Sequence, residues 1–208
     1  ETAPNSDSAL VWVNDSTAIL LGNNVNIYGS IDIPENKVLL INPGQHIHFK
    51  SGGGFHIAGS LKLLGSEWAE IQVSAEAEVG NCINLEKGGA MIAVYTQFYQ
   101  VPPNFLTASE GKIDLQKCFI AETKGNFIRA NRSVVNLVNC SSGGMESLGF
   151  FNRGVVKIKG LVAKNGGTFI SGMGSDIEMH SSKIQGFDLV ADLNYNSDFS
   201  TWASRFES

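Results

Sequence analysis

The chain has 208 residues, 43% of them hydrophobic and 17% charged, with a formal net charge of −5. That composition excludes a disordered or collagen-like chain, and the acidic balance leaves no electrostatic case for a nucleic-acid partner. No apolar run approaches the roughly 20 residues of a membrane-crossing helix, and three cysteines without a C-x-x-C pair do not make a disulfide framework.

The opening, ETAPNSDSA, is polar and small. No signal peptide is visible, and the segment reads as the start of a mature secreted chain or of a trimmed one. Residues 9–21, ALVWVNDSTAILL, are apolar about a polar centre and are expected to cover one end of the fold, so that 1–24 forms an N-terminal segment and cap. Residues 25–33 (VNIYGSIDI) and 55–63 (FHIAGSLKL) share an alternation of apolar residues around a Gly-Ser turn. Between them, Leu39 and Ile41 precede a Pro43-Gly44 turn, Ile47 and Phe49 follow it, and Ile71 and Val73 come later. Apolar residues two apart mark one face of a half-buried strand, and Pro-Gly and Gly-Ser are turn dipeptides.

From residue 91 a repeat becomes visible. Similar segments start at 91, 112, 134, 155 and 176, so their starts lie 21 or 22 residues apart. Ile92, Ile113, Val135, Val156 and Ile177 hold the second position. Val94, Leu115, Leu137, Ile158 and Met179 hold the fourth, and both sets are expected to face inward. The third position (Ala93, Asp114, Asn136, Lys157, Glu178) is mostly polar and is expected to face water. A second apolar ladder follows each first one, through Cys82-Ile83, Phe105-Leu106, Phe127-Ile128, Phe150-Phe151, Phe169-Ile170 and Leu189-Val190. Phe127, Phe150 and Phe169 should therefore stack. Cys118 and Cys140 share the seventh position of neighbouring repeats and are expected to be close together as buried thiols. At the C-terminal end, Phe199, Trp202 and Phe206 within residues 197–208 are expected to cap the last turn or to pack on a further domain or subunit.

One unit of about 21 residues cannot bury its own apolar face, but stacked units share an interior. The expected fold is all-β: a single-stranded right-handed parallel β-helix of roughly nine turns over residues 25–196, with terminal caps. The succession carried by Ile41, Pro43, Gly44, Ile47, Phe49, Gly59, Leu61, Gly65 and Ile71 resembles the entry turns of secreted right-handed parallel β-helices of the pectin-lyase-like superfamily. The resemblance implies this architecture and a secreted or cell-surface location. It implies no single activity, since that superfamily holds polysaccharide lyases, hydrolases, epimerases, phage tailspikes and adhesins.

The candidate site residues follow from strand parity. His46, His48 and His56 lie within eleven residues, and inward Ile47, Phe49, Phe55 and Ile57 turn all three outward. They are weak metal candidates, because a zinc site needs ligands converging at about 2 Å; solvated histidines are the favoured reading, and no cofactor is expected. Arg129, Arg132 and Arg153 follow the phenylalanine ladder in two consecutive turns, as a small basic patch for the sulfate or carboxylate groups of a glycan. Tyr95 and Tyr99 are the outward aromatic pair available for sugar stacking. Lys157 and Glu178 hold matching outward positions and are expected to pair. No outward position carries the threonine ladder of an ice-binding face.

No D-x-D, D-D, G-H-G or R-I-K is present, so the superfamily's catalytic residues transfer to no position. The expected function is a non-catalytic secreted or cell-surface module, a rigid scaffold for adhesion, assembly or glycan contact. Its expected partners are polysaccharide or other surface proteins, with association through the C-terminal end. The alternative is a polysaccharide-active enzyme (lyase, epimerase or hydrolase) or a tailspike-like fragment.

Overall fold

In the computed structural model, which describes residues 10–76 and 80–207, the chain winds into a parallel β-solenoid with no helix among the described residues. Each coil has three flat faces separated by corners. The first face stacks nine parallel strands, one per coil: Thr17–Leu20, Val38–Ile41, Ser60–Leu64, Ala90–Val94, Lys112–Gln116, Val134–Val138, Val155–Lys159, Asp176–His180 and Asp198–Trp202. Registers are unbroken, so Thr17, Val38, Ser60, Ala90, Lys112, Val134, Val155, Asp176 and Asp198 form one column. The strand Leu10–Trp12 lies antiparallel on Thr17–Leu20 and covers the first coil. Residues 1–9 of the expected cap lie outside the described residues.

The second face begins with Asn24–Ile27 and the third with Ser30–Ile33. In the later coils a single long strand, such as Phe119–Asn131 or Ser141–Asn152, runs through both of these faces. The segment after residue 196 does not fold over the end. Asp198–Trp202 and Arg205–Glu207 add parallel strands in register with Asp176–His180 and Lys183–Asn194.

Parity decides what is inside. On the first face Leu39, Leu61, Met91, Ile113, Val135, Val156 and Ile177 form one fully buried column. The second column runs Ile41, Leu63, Ala93, Leu115, Leu137, Ile158, Met179. In the fourth coil this corrects the sequence expectation. Met91 and Ala93 point inward and Ile92 and Val94 outward, because Ala90 rather than Met91 aligns with Lys112. The third face brings a second correction. Gly149, not Phe150, aligns with Ile128, so Leu148 and Phe151 are buried and Phe150 stands outward between Arg129 and Ser171. A side chain at Gly149 would collide with the Ile128 carbonyl oxygen, so only glycine allows the two coils this approach. Phe127 and Phe169 remain fully buried.

The corners are as regular as the faces. Tyr95, Lys117, Asn139, Gly160, Ser181 and Ala203 turn the first face into the second with φ between 46° and 67°. This left-handed backbone costs ordinary residues energy. Here the corners stay bonded from coil to coil: Tyr95 N–H donates to the Gln116 carbonyl at 3.1 Å and Lys117 N–H to that of Val138 at 2.9 Å. At Gly160 a Cβ would press on Asn139 Oδ1, the movable end of a side chain, and glycine takes without strain the left-handed φ that the other corners impose on residues with a side chain. The next residue tucks inward and bonds back to the carbonyl two residues before it: Thr96 Oγ1 to Val94, Cys118 Sγ to Gln116, Ser182 Oγ to His180. Cys118 and Cys140 occupy this site in successive coils, both buried and both free thiols.

Candidate functional site

The outward columns carry the chemistry. The first face is zipped by its own charges: Lys112 Nζ meets Asp114 Oδ2 at 2.8 Å, Asn136 bonds Asp114, and Lys157 Nζ lies 3.4 Å from Glu178 Oε2. The expected Lys157–Glu178 pair is therefore present. Asp114 and Glu178 stand three strands apart, about 14 Å at the usual strand spacing. That exceeds the separation of about 5–9.5 Å used in glycoside hydrolysis.

The third face displays the column Asp32, His56, Asn84, Thr107, Arg129, Phe150, Ser171, Asp192. Around Arg129 it forms an open groove of about 420 Å³ lined by Asn84, Thr107, Asn131, Phe150 and Asn152 among others. Thr107 Oγ1 donates to Asn84 Oδ1 at 2.9 Å and Asn152 Nδ2 to Asn131 Oδ1 at 2.9 Å, while Asn152 Oδ1 has no partner among the described residues. Arg129 is exposed and makes no ion pair among the described residues. Among the described residues no carboxylate lines the groove. Arg129 can therefore present an unpaired guanidinium, beside an aromatic ring and a row of amides, to an anionic group.

The other arginines are not in that groove. Arg132 and Arg153 occupy the corner between the third and first faces, one coil apart, with φ of 49° and 52°. Arg132 Nη1 lies 3.4 Å from Glu110 Oε1, and Arg153 borders a separate hollow beside Tyr195. The expected basic patch is thus divided between a groove and a corner.

The histidines do not converge. His46 and His48 share the second face, whereas His56 belongs to the third, because the turn at 51–53 separates their strands. Among the described residues no group of three His, Cys, Asp or Glu is arranged to hold a metal ion. His46 and His56 are exposed, but His48 is half-buried, with Nδ1 2.7 Å from Ser74 Oγ. Burial, and then the nearby Lys50 charge, hold the His48 imidazole below its ordinary range. Lys50 in turn pairs with Glu76 at 3.0 Å, and that bond keeps the Glu76 carboxyl below the usual carboxylate range.

The tyrosines do not pair either. Tyr95 sits at a corner, where its hydroxyl accepts from Lys117 Nζ at 2.6 Å and the ammonium lies 4.7 Å from the ring centroid. Tyr99 is on the second face, opposite Ala121. One aromatic absent from the sequence reading stands out instead. Trp68 is 93% exposed on the turn Ser66–Ala69, which the strand pattern leaves as an unassigned gap. At the C-terminal end, Trp202 stacks on His180 with centroids 4.5 Å apart, while Phe199 and Phe206 continue the inward columns.

No family model matches the chain, and no curated protein matches it. No helix among the described residues is long and apolar enough to cross a membrane.

Proposed function

We propose that the chain is a non-catalytic module of the pectin-lyase-like, right-handed parallel β-helix type, secreted or displayed at the cell surface. It serves as a rigid scaffold that contacts acidic glycan through the Arg129 groove. The observation that carries this reading is the Arg129 guanidinium, held among amide and hydroxyl groups on a flat wall where, among the described residues, it has no ion-pair partner and no carboxylate lines the groove. Carboxylates or sulfates of a polysaccharide match that donor set, and Phe150 offers a surface for an apolar sugar edge.

The non-catalytic part is supported by spacing. Along the third face Asp32 and Asp192 lie about 19 and 14 Å from Arg129 at the usual strand spacing, too far to share one glycosidic bond. A partner at the C-terminal coil is consistent with Trp202 and Phe206, which remain 51% and 39% exposed.

The test has two arms. Oligogalacturonate and a sulfated oligosaccharide are titrated calorimetrically against the chain and against Arg129→Ala. Binding weakened at least about tenfold by the substitution is expected. The chain is also incubated with uronate and neutral polysaccharides while unsaturated products and reducing ends are followed. Turnover would overturn the scaffold reading in favour of an enzyme.

A further inference from the structure

Coils four to nine turn from the first face to the second on single left-handed residues, beginning with Tyr95. The third coil does not. Between Leu64 and Ile71 it spends Gly65–Glu70, and the excess forms a protruding turn with Trp68 near its tip. The turn is fixed at its base. Ser66 N–H donates to the Ala69 carbonyl at 3.1 Å, Ala69 N–H donates to the Ser66 carbonyl at 3.1 Å, and Ser66 Oγ accepts from the same N–H. It is also bonded to the coils on either side. Gly44 N–H reaches the Ala69 carbonyl at 3.1 Å, Gly65 N–H the Val94 carbonyl at 3.0 Å and Ile71 N–H the Tyr95 carbonyl at 3.1 Å.

An indole that is 93% exposed contributes nothing to the interior. Holding it on a fixed turn spares a ligand the cost of ordering it. The groups around it are polar. Glu67 precedes it, Glu70 closes the insertion, and the Gln97 amide donates to Glu70. Lys117 is already committed to Tyr95; that hydroxyl, and behind it Glu67, hold its ammonium above the ordinary range.

We infer that the Trp68 turn is a second glycan-binding site, distinct from the Arg129 groove, and that it takes a neutral oligosaccharide. A pyranose presents an apolar C–H face to a ring and hydroxyls around its rim, which suits one exposed flat indole on a turn that also carries Glu67 and Glu70. Glu67 and Glu70 outnumber the one ammonium near them, Lys117, and so disfavour uronates, sulfates and anionic lipid headgroups alike. A lone aromatic in polar surroundings is also too small an apolar area for a stable protein interface. The inference shares with the proposed function only its ligand class, and the two sites lie on different parts of the coil.

The test uses neutral hexasaccharides of β-linked glucose, xylose and N-acetylglucosamine, with calorimetry for affinity and the indole N–H resonances of Trp12, Trp68 and Trp202 for location. At least one hexasaccharide is expected to shift the Trp68 resonance saturably. Trp68→Ala is expected to weaken binding at least about tenfold with unchanged circular dichroism, and Arg129→Ala to leave it within about twofold. The inference is overturned if none of the three moves the Trp68 resonance at about 10 mM, if Trp68→Ala binds as tightly as the parent, or if only oligogalacturonate engages Trp68. Loss of acidic-glycan binding in Arg129→Ala speaks to the groove alone, so the two readings fail separately.

Discussion

The rings of Phe105 and Phe127 lie stacked one coil apart, with centroids 6.0 Å apart and planes 10° from parallel. Phe98 closes on both, at 6.0 and 5.2 Å, and Phe49 approaches Phe105 at 5.8 Å. This cluster fills the middle of the solenoid where the fourth and fifth coils meet. Phe127→Ala is expected to cost about 3–5 kcal/mol, because the rigid coils cannot collapse into the void. Urea unfolding monitored by circular dichroism measures it.

Phe150 and Phe151 are adjacent, yet they predict opposite outcomes. Phe151 is fully buried, and its loss to alanine is expected to cost about 3–5 kcal/mol. Phe150 faces the groove, so Phe150→Ala is expected to change stability by less than about 1 kcal/mol while weakening glycan binding. Equal destabilisation by the two substitutions would contradict the register on the third face.

These two residues show what could be read beforehand and what could not. The repeat of 21 or 22 residues and the alternation around it survive intact, because apolar and polar residues alternate unambiguously at Ile113–Leu115 and Ile177–Met179. Parity fails where it loses contrast. In Met91–Val94 every residue is apolar, and in Leu148–Phe151 the lone small residue marks a close approach, not a turn. The site was harder to see for a different reason. His48 and His56 are eight positions apart, but a corner sends them to different faces. Trp68 lies in a gap between strand motifs, where alternation gives no guidance.

The pH dependence follows from His48. Its folded pKa lies below the ordinary 6.5, so between the two values the unfolded chain binds more protons. This contribution to stability is fully present above pH 6.5 and is lost as pH falls through the folded value. Glu76, whose pKa is also lowered, loses its contribution below about 4.5 in the same sense. Chemical denaturation at a series of pH values should show stability falling with acidification from 6.5. His48→Gln should flatten the upper part of that curve and leave the lower part in place.

The thiols should be inert until the coils open. Burial pushes the Cys82 thiol up to about 12; in the adjacent pair, the neighbouring Cys140 and burial push the Cys118 thiol up, while the same neighbour lowers Cys140, which burial shields from reagent. Alkylation with iodoacetamide at neutral pH is expected to leave the native chain unmodified and to label all three cysteines in denaturant, as intact mass reads directly. Fast native labelling of Cys118 or Cys140 would show that the corner column is looser than its hydrogen bonds imply.

The exposed pair Lys157–Glu178 should matter little. At 3.4 Å, with both side chains substantially in water, its removal by Lys157→Ala is expected to cost about 0.2–1 kcal/mol, diminishing further in high salt.

Because the corner between the first and second faces recurs on one left-handed residue in each of coils four to nine, that stretch behaves as a graduated ruler. A functional group moved from Lys117 to Asn139 or Ser181 keeps its heading and advances by a whole number of steps of about 4.8 Å. Spacing between displayed groups can thus be changed in discrete increments, without redesigning the wall that carries them.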